Sequence, residues 1–260
     1  MILLRYLRFW LRSGNAHSIH SPFVFQLYTQ VIRNTSAYYC FAGIEESRYK
    51  LLTSREILEI RDFGAGPRSG RMQSSSQRKV RAIAWHSEKS PALAQLLFRL
   101  VNHFQPAIIF DLGTSLGTTT LYLAHARKQA ALFTFEGDTG LLAIARQRFE
   151  QFKLNNITPV AGNLDQTLAQ TIDQIDKLDF VFFDANHRCE PTLRYFDQCL
   201  CKAHIASVFV FDDIYWSAEM QQAWQQIKAH PSVKLTIDLF YVGLVFFREN
   251  QPLQHFTLRL

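Results

Sequence analysis

The chain has 260 residues, 48% of them hydrophobic and 19% charged. That balance excludes intrinsic disorder, and a chain of this length needs no disulfide framework or structural metal to complete its core. The net charge of +6 is unevenly spread: residues 1–90 carry 14 Lys and Arg against 6 Asp and Glu, and residues 91–260 carry 14 against 16. A basic N-terminal third on a near-neutral body points to an anionic partner, nucleic acid or membrane surface, or to a merely solvated basic face.

No apolar run approaches the ~20 residues that span a bilayer. The opening segment lacks the uninterrupted apolar core and cleavage site of a signal peptide. Four cysteines, none at CxxC spacing, read as reduced thiols, and the cytoplasm is the expected location.

In chain order, the segment ending at Arg12 sets Arg5, Arg8 and Arg12 opposite Leu4, Leu7 and Leu11. That pattern is a short basic amphipathic helix. It is expected to pack on the protein, with a membrane surface as the alternative. Ser21-Pro22 reads as the next helix start, and a further helix is expected across Glu45–Ile60. Residues 64–79 have no apolar period and read as a mobile basic loop. Asp62-Phe63-Gly64-Ala65-Gly66 has the look of a ligand-binding glycine turn, but no apolar helix follows, so it reads as a turn only. A helix over Pro91–His103 is capped by Ser90.

From residue 107 short apolar runs alternate with helical stretches. Strands are expected at Ala107–Leu112, Ala131–Glu136, Ile157–Ala161, Asp179–Asp184, Ile205–Asp212, Val233–Asp238 and Tyr241–Arg248. The first five are each followed by a helix, which means parallel strands with helices on both faces. Only Leu239-Phe240 separates the last two, too few residues for a parallel crossover, so that pair is an antiparallel hairpin. The expected fold is α/β: a doubly wound, mostly parallel, seven-stranded sheet with a reversed last strand and a helical N-terminal extension. By composition the chain divides into a helical region (1–63), a basic loop (64–80) and the α/β domain (81–260).

In such sheets ligands bind beyond the carboxyl ends of the strands. Those ends read Asp111-Leu112-Gly113-Thr114-Ser115-Leu116-Gly117-Thr118, Glu136-Gly137-Asp138, Gly162-Asn163-Leu164-Asp165, Asp184-Ala185-Asn186-His187 and Asp212-Asp213-Ile214-Tyr215-Trp216. Five consecutive polar or glycine-bearing ends read as a site. Gly113 and Gly117 give GxxxG, short of the GxGxxG pyrophosphate fingerprint, followed by a helix N-terminus. Glu136 stands where an acid accepts two hydrogen bonds from a ribose diol, a geometry that serves NAD and S-adenosylmethionine alike.

The stretch Asp111–Gly117, with Glu136 and the terminal hairpin, resembles the class I S-adenosylmethionine-dependent methyltransferases. Asp184 with Asp212-Asp213 resembles their cation-dependent, catechol O-methyltransferase-like branch. The resemblance covers roughly residues 80–250. It implies a cofactor site of Asp111, Gly113, Thr114, Ser115, Gly117, Thr118, Glu136, Gly162, Asn163, Leu164 and Asp184. It also implies a divalent cation (Mg²⁺, Mn²⁺ or Ca²⁺) on Asp184, Asp212 and Asp213. Two departures stand out: Asp213 replaces the family's Asn, and His187 stands where the family often has Lys. A histidine titrates near neutrality and is a competent proton acceptor, so His187 and Asp184 are the expected catalytic residues.

Tyr215 and Trp216 are candidates to wall the acceptor pocket. The implied activity is O-methylation of a hydroxyl on a small molecule, aromatic ones included. The alternatives are an RNA acceptor gripped by Arg68, Arg71, Arg78, Lys79 and Arg81, an NAD-dependent oxidoreductase, and a non-catalytic cofactor-binding module. A homodimer is left open.

Overall fold

A computed structural model describes residues 2–60, 76–249 and 252–260. By contact the chain forms two compact units, residues 35–167 and residues 168–260 together with 1–34. The divisions at 63 and 80 follow charge rather than packing.

The chain opens with α1 (Ile2–Arg12) and α2 (Pro22–Leu27), the latter running into a π-helical turn at Tyr28–Ile32. Ser21 caps α2 by accepting from the Val24 amide, with Pro22 in the first turn.

The unit 35–167 begins with α3 (Phe41–Thr53) and the two-stranded antiparallel pair β1 (Ile57–Ile60) and β2 (Ser76–Lys79). The helix expected across Glu45–Ile60 therefore ends early. The backbone turns extended at Ser54, and residues 57–60 pair with 76–79 instead. The last residues of the expected basic loop are thus a strand. Its remainder, with Arg68 and Arg71, lies outside the described residues, as does the whole Asp62–Gly66 turn.

Next come α4 (Val80–Ser87) and α5 (Pro91–Phe104), capped by Ser90 as expected. Strand β3 (Ile108–Leu112), helix α6 (Thr118–Ala126), strand β4 (Ala131–Glu136), helix α7 (Thr139–Gln151) and strand β5 (Ile157–Ala161) follow. The order within this unit is β3-β4-β5, all parallel. Leu112 stands beside Phe135, and Glu136 beside Ala161. These registers bring Gly113, Glu136 and Gly162 out at one rim.

Helix α8 (Leu164–Ile172) leads into the second unit, which holds β6 (Phe180–Phe183), α9 (Cys189–Leu200), β7 (Val208–Asp212), α10 (Ala218–Ala229), β8 (Leu235–Asp238), β9 (Val242–Phe246) and β10 (Gln254–Thr257). Strand order here is β10-β8-β9-β7-β6. β6 and β7 are parallel, and β9 runs antiparallel to both β7 and β8. The expected reversed strand is therefore present. The seven expected strands gain an eighth, because β10 pairs in parallel with β8. Gln-His-Phe-Thr is too short and polar to signal a strand by itself; the free edge of β8 supplies its partner.

Every residue of β6 and β7 is buried, as strands covered on both faces require. Phe183 stacks on Phe211 at 4.2 Å, and Phe196 packs edge-on against Phe209. Much of the phenylalanine is core material. All four cysteines are free thiols.

Candidate cofactor turn and carboxylate cluster

In the unit 35–167 the chain leaves β3 through a turn of unusual backbone. Gly113, Ser115 and Gly117 all have positive φ, at 117°, 47° and 82°. Glycine tolerates this and serine does so at a cost. Gly117 is further constrained: a Cβ there would meet Phe149 at 2.8 Å and Ala145 at 3.0 Å.

The turn is held from three sides. Amides of Gly113 and Thr114 donate to the Phe135 carbonyl at 3.2 and 2.9 Å. The Ser115 amide donates to Glu136 Oε2 at 2.7 Å, and the Asp138 amide to Oε1 at 2.9 Å. Ser115 Oγ meets Ser87 Oγ at 3.0 Å. The half-buried Glu136 carboxyl sits above the ordinary range because burial outweighs the pull of the Asp138 and Ser115 N–H donors.

Below the turn, Asp111 is fully buried and accepts from Thr120 Oγ1 at 2.6 Å and Thr134 Oγ1 at 2.8 Å. Thr114 shares the Thr134 hydroxyl at 2.6 Å. Asp111 and Thr114 thus spend their side chains on bracing. Thr118 is likewise buried and accepts from Arg148 Nη1 at 2.9 Å.

Arg148 was not foreseen. Its guanidinium also donates to the Leu116 carbonyl and, through Nε, to Ser47 Oγ. Burial lowers its pKa to about 10, against the attraction of Glu88. A signal was available: Arg148 lies on the same stripe of α7 as the buried Leu141, Ala145 and Phe149, where an unneeded charge would be costly.

The predicted contacts Gly113, Ser115, Glu136, Gly162 and Leu164 are half-buried at the rim, and Asn163 is exposed. Gly162, at φ 125°, donates its amide to the Glu136 carbonyl at 2.9 Å. Asn163 Oδ1 accepts from the Asp165 amide. Arg78, Lys79 and Arg81 are exposed.

In the other unit the parallel register of Phe183 with Phe211 makes Asp184 and Asp212 the next pair. The chain then turns through Asn186 and His187, both at positive φ (70° and 37°). This brings His187 Nε2 back to 3.4 Å from Asp184 Oδ1. Donor atoms of Asp184, His187 and Asp212 all lie within 4.8 Å of one another. Burial alone would lower the His187 pKa, but the hydrogen bond to Asp184 and the charges of Asp184, Asp212 and Asp213 raise it.

The convergent set is therefore Asp184, Asp212 and His187. Asp213 lies outside that set of three, although its charge acts on His187; its backbone shapes the following turn, with φ 54°, its amide donating to the Tyr241 carbonyl and its carbonyl accepting from the Trp216 amide. Donors that close around one point fit a divalent cation, with two carboxylates to neutralise it. An imidazole in the set widens the choice to metals that favour nitrogen.

Tyr215 and Trp216, proposed to wall a pocket, separate. The Tyr215 ring stacks on Phe240 at 5.0 Å, and its hydroxyl donates to Asp238 Oδ2 at 2.7 Å. Trp216 is 62% exposed. The carboxylate of Asp238, unremarked in the sequence, is buried and also accepts from the Phe240 amide.

Residues 110–214 match the family described as "Methyltransferase domain". The mouse protein named transmembrane O-methyltransferase homolog is 31% identical over 123 residues, 45% of this chain and 46% of its own length. The chain thus spans about half of the curated relatives it matches. Among solved structures, a Podospora anserina methyltransferase bound to S-adenosylhomocysteine superposes with a TM-score of 0.61 at 12% identity, covering 89% of this chain and 98% of that one. A Bacillus cereus O-methyltransferase in complex with the same product gives 0.56 at 18% identity, with 86% and 96% covered. Among the described residues no helix is long and apolar enough to cross a membrane. Residues 110–214 thus resemble a methyltransferase domain, and the fold is the one seen in these solved methyltransferases.

Proposed function

We propose that this chain is an S-adenosylmethionine-dependent O-methyltransferase that needs a divalent cation and acts on a hydroxyl of a small molecule. The observation that carries the reading is the convergence of Asp184, His187 and Asp212 beyond the ends of β6 and β7. In this reading Glu136 accepts the ribose diol of the cofactor, over the turn Gly113–Gly117. Gly162, Asn163 and Leu164 border the adenine. Relatives solved with S-adenosylmethionine or its product support the cofactor assignment.

Asp184 and Asp212 would hold the cation. When bound, it acidifies the acceptor hydroxyl. His187 takes the proton, and Asp184, 3.4 Å from its Nε2, stabilises the imidazolium that results. The acceptor oxygen then forms its bond to the sulfonium methyl as the sulfur–carbon bond breaks, leaving S-adenosylhomocysteine. Exposed Trp216 offers a face to an aromatic acceptor.

The test is transfer of labelled methyl from S-adenosylmethionine to a panel of phenols, with and without EDTA, beside calorimetric titration of S-adenosylhomocysteine. Transfer should vanish in EDTA and return with Mg²⁺ or Mn²⁺, while product binding stays unchanged. Undiminished transfer in EDTA defeats the cation, and absence of product binding defeats the cofactor assignment.

A further inference from the structure

Helix α1 is fixed to its unit chiefly along the side that carries Phe9 and Arg5. Phe9 is its one buried residue, packed 5.3 Å from Phe240 and 6.1 Å from Tyr215. One turn away, Arg5 Nη1 donates to the carbonyls of Tyr215 and Trp216 at 2.8 and 2.9 Å. At 100° per residue, Leu3, Leu7 and Leu11 project to the opposite side.

That side is bare. Leu3, Leu4 and Leu11 are 63–76% exposed, Leu7 52% and Trp10 45%. A surface helix ordinarily turns such a stripe inward, and a contiguous exposed apolar patch marks an interaction site. Cations border it: Arg8 and Arg12 are exposed on the same helix, and the Arg259 guanidinium lies over the Trp10 ring at 4.2 Å. Residues 1–44 contain four arginines and neither Asp nor Glu.

We propose that α1 is a docking helix for an anionic lipid surface, its leucines entering the apolar boundary and its arginines meeting the headgroups. Charge selects this occupant. A second copy laid leucine to leucine would set arginine against arginine, with no carboxylate in the segment to relieve it. Anionic headgroups supply the missing charge. The helix is far too short to span, so the mode is attachment in the interfacial plane.

The experiment is co-sedimentation of the full chain with vesicles of phosphatidylcholine alone and of phosphatidylcholine containing a minority of phosphatidylserine. The chain should pellet with the anionic vesicles and release as salt rises. R8Q and R12Q should each weaken binding about five-fold, and the L7S/L11S pair at least about ten-fold. Because these side chains are exposed, thermal midpoints should not move. A full chain that stays in the supernatant with anionic vesicles overturns the proposal. So does an L7S/L11S variant that pellets like the parent, or a dimer in sedimentation velocity that L7S/L11S dissolves while vesicle binding is absent.

Discussion

The glycine turn after β3 and the cluster after β6 and β7 occupy equivalent places at the carboxyl ends of their strands, yet they are stabilised in opposite ways. The turn is braced from within. Glu136 fixes two amides, Asp111 takes two hydroxyls, and Arg148 ties a carbonyl and a hydroxyl from behind. The cluster instead gathers like charges, with Asp184 and Asp212 drawn together around a single imidazole. A turn braced by hydrogen bonds from several elements is a preorganised mould for a ligand held by shape and hydrogen bonds. One that concentrates negative charge calls for a cation.

The sharpest way to break this contrast is to neutralise the cluster. D184A and D212A should each cut methyl transfer by about three orders of magnitude, on the scale of lost charge stabilisation. Calorimetry should find S-adenosylhomocysteine binding within a few-fold of the parent, while the Mn²⁺ bound at equilibrium falls. Loss of product binding in both variants would mean that the two regions are not separate in function.

The turn should answer in stability rather than chemistry. G117A puts a methyl against Phe149 and Ala145 at positive φ. It should cost about 2–3 kcal/mol, read as a drop in the denaturant midpoint. E136A removes the acceptor of two backbone amides and of the proposed ribose contact. Cofactor affinity should fall about ten- to one-hundred-fold in calorimetry, with the thermal midpoint lowered as well. An E136A protein that binds as before would move the ribose elsewhere.

The smallest effect concerns His125, on the helix the turn launches. Burial, helped by Lys128, lowers its pKa from 6.5 to about 4, and its Nδ1 lies 3.1 Å from the Tyr39 hydroxyl. The folded state therefore favours neutral imidazole. Its stabilisation is complete above pH 6.5 and is lost as pH falls from 6.5 to about 4. The loss is at most about 3 kcal/mol, because each tenfold weakening of proton binding is worth about 1.4 kcal/mol. Solvent screening at this half-buried ring reduces it further. Chemical denaturation across that window should show a steeper decline for the parent chain than for H125N.

Where the sequence was legible, it was legible through period and position. The alternation of apolar runs with helices located seven of the eight strands described after residue 107, helped where, as in β6 and β7, strands buried on both faces read as continuous runs. Glu136 and the glycines were visible because strand ends in parallel sheets point at ligands. What stayed hidden depended on partners distant in the chain. β1 exists because residues 76–79 pair with it, and β10 because β8 has a free edge. The approach of His187 to Asp184 and Asp212 depends on a backbone turn at positive φ. No residue type there announces such a turn, since neither Asn186 nor His187 requires it.

The brace from Arg148 carries a consequence for how the protein is assembled. The motif from Asp111 to Thr118 is complete in the nascent chain some 30 residues before the arginine that ties Leu116 and Thr118 has been synthesised. Until α7 docks, the Leu116 carbonyl and Thr118 hydroxyl lack the guanidinium that ties them, and Phe149 and Ala145 do not stand behind Gly117. The turn is thus a late-forming element built on non-local contacts. A fragment ending before residue 148 would contain every residue of the glycine motif and not its shape.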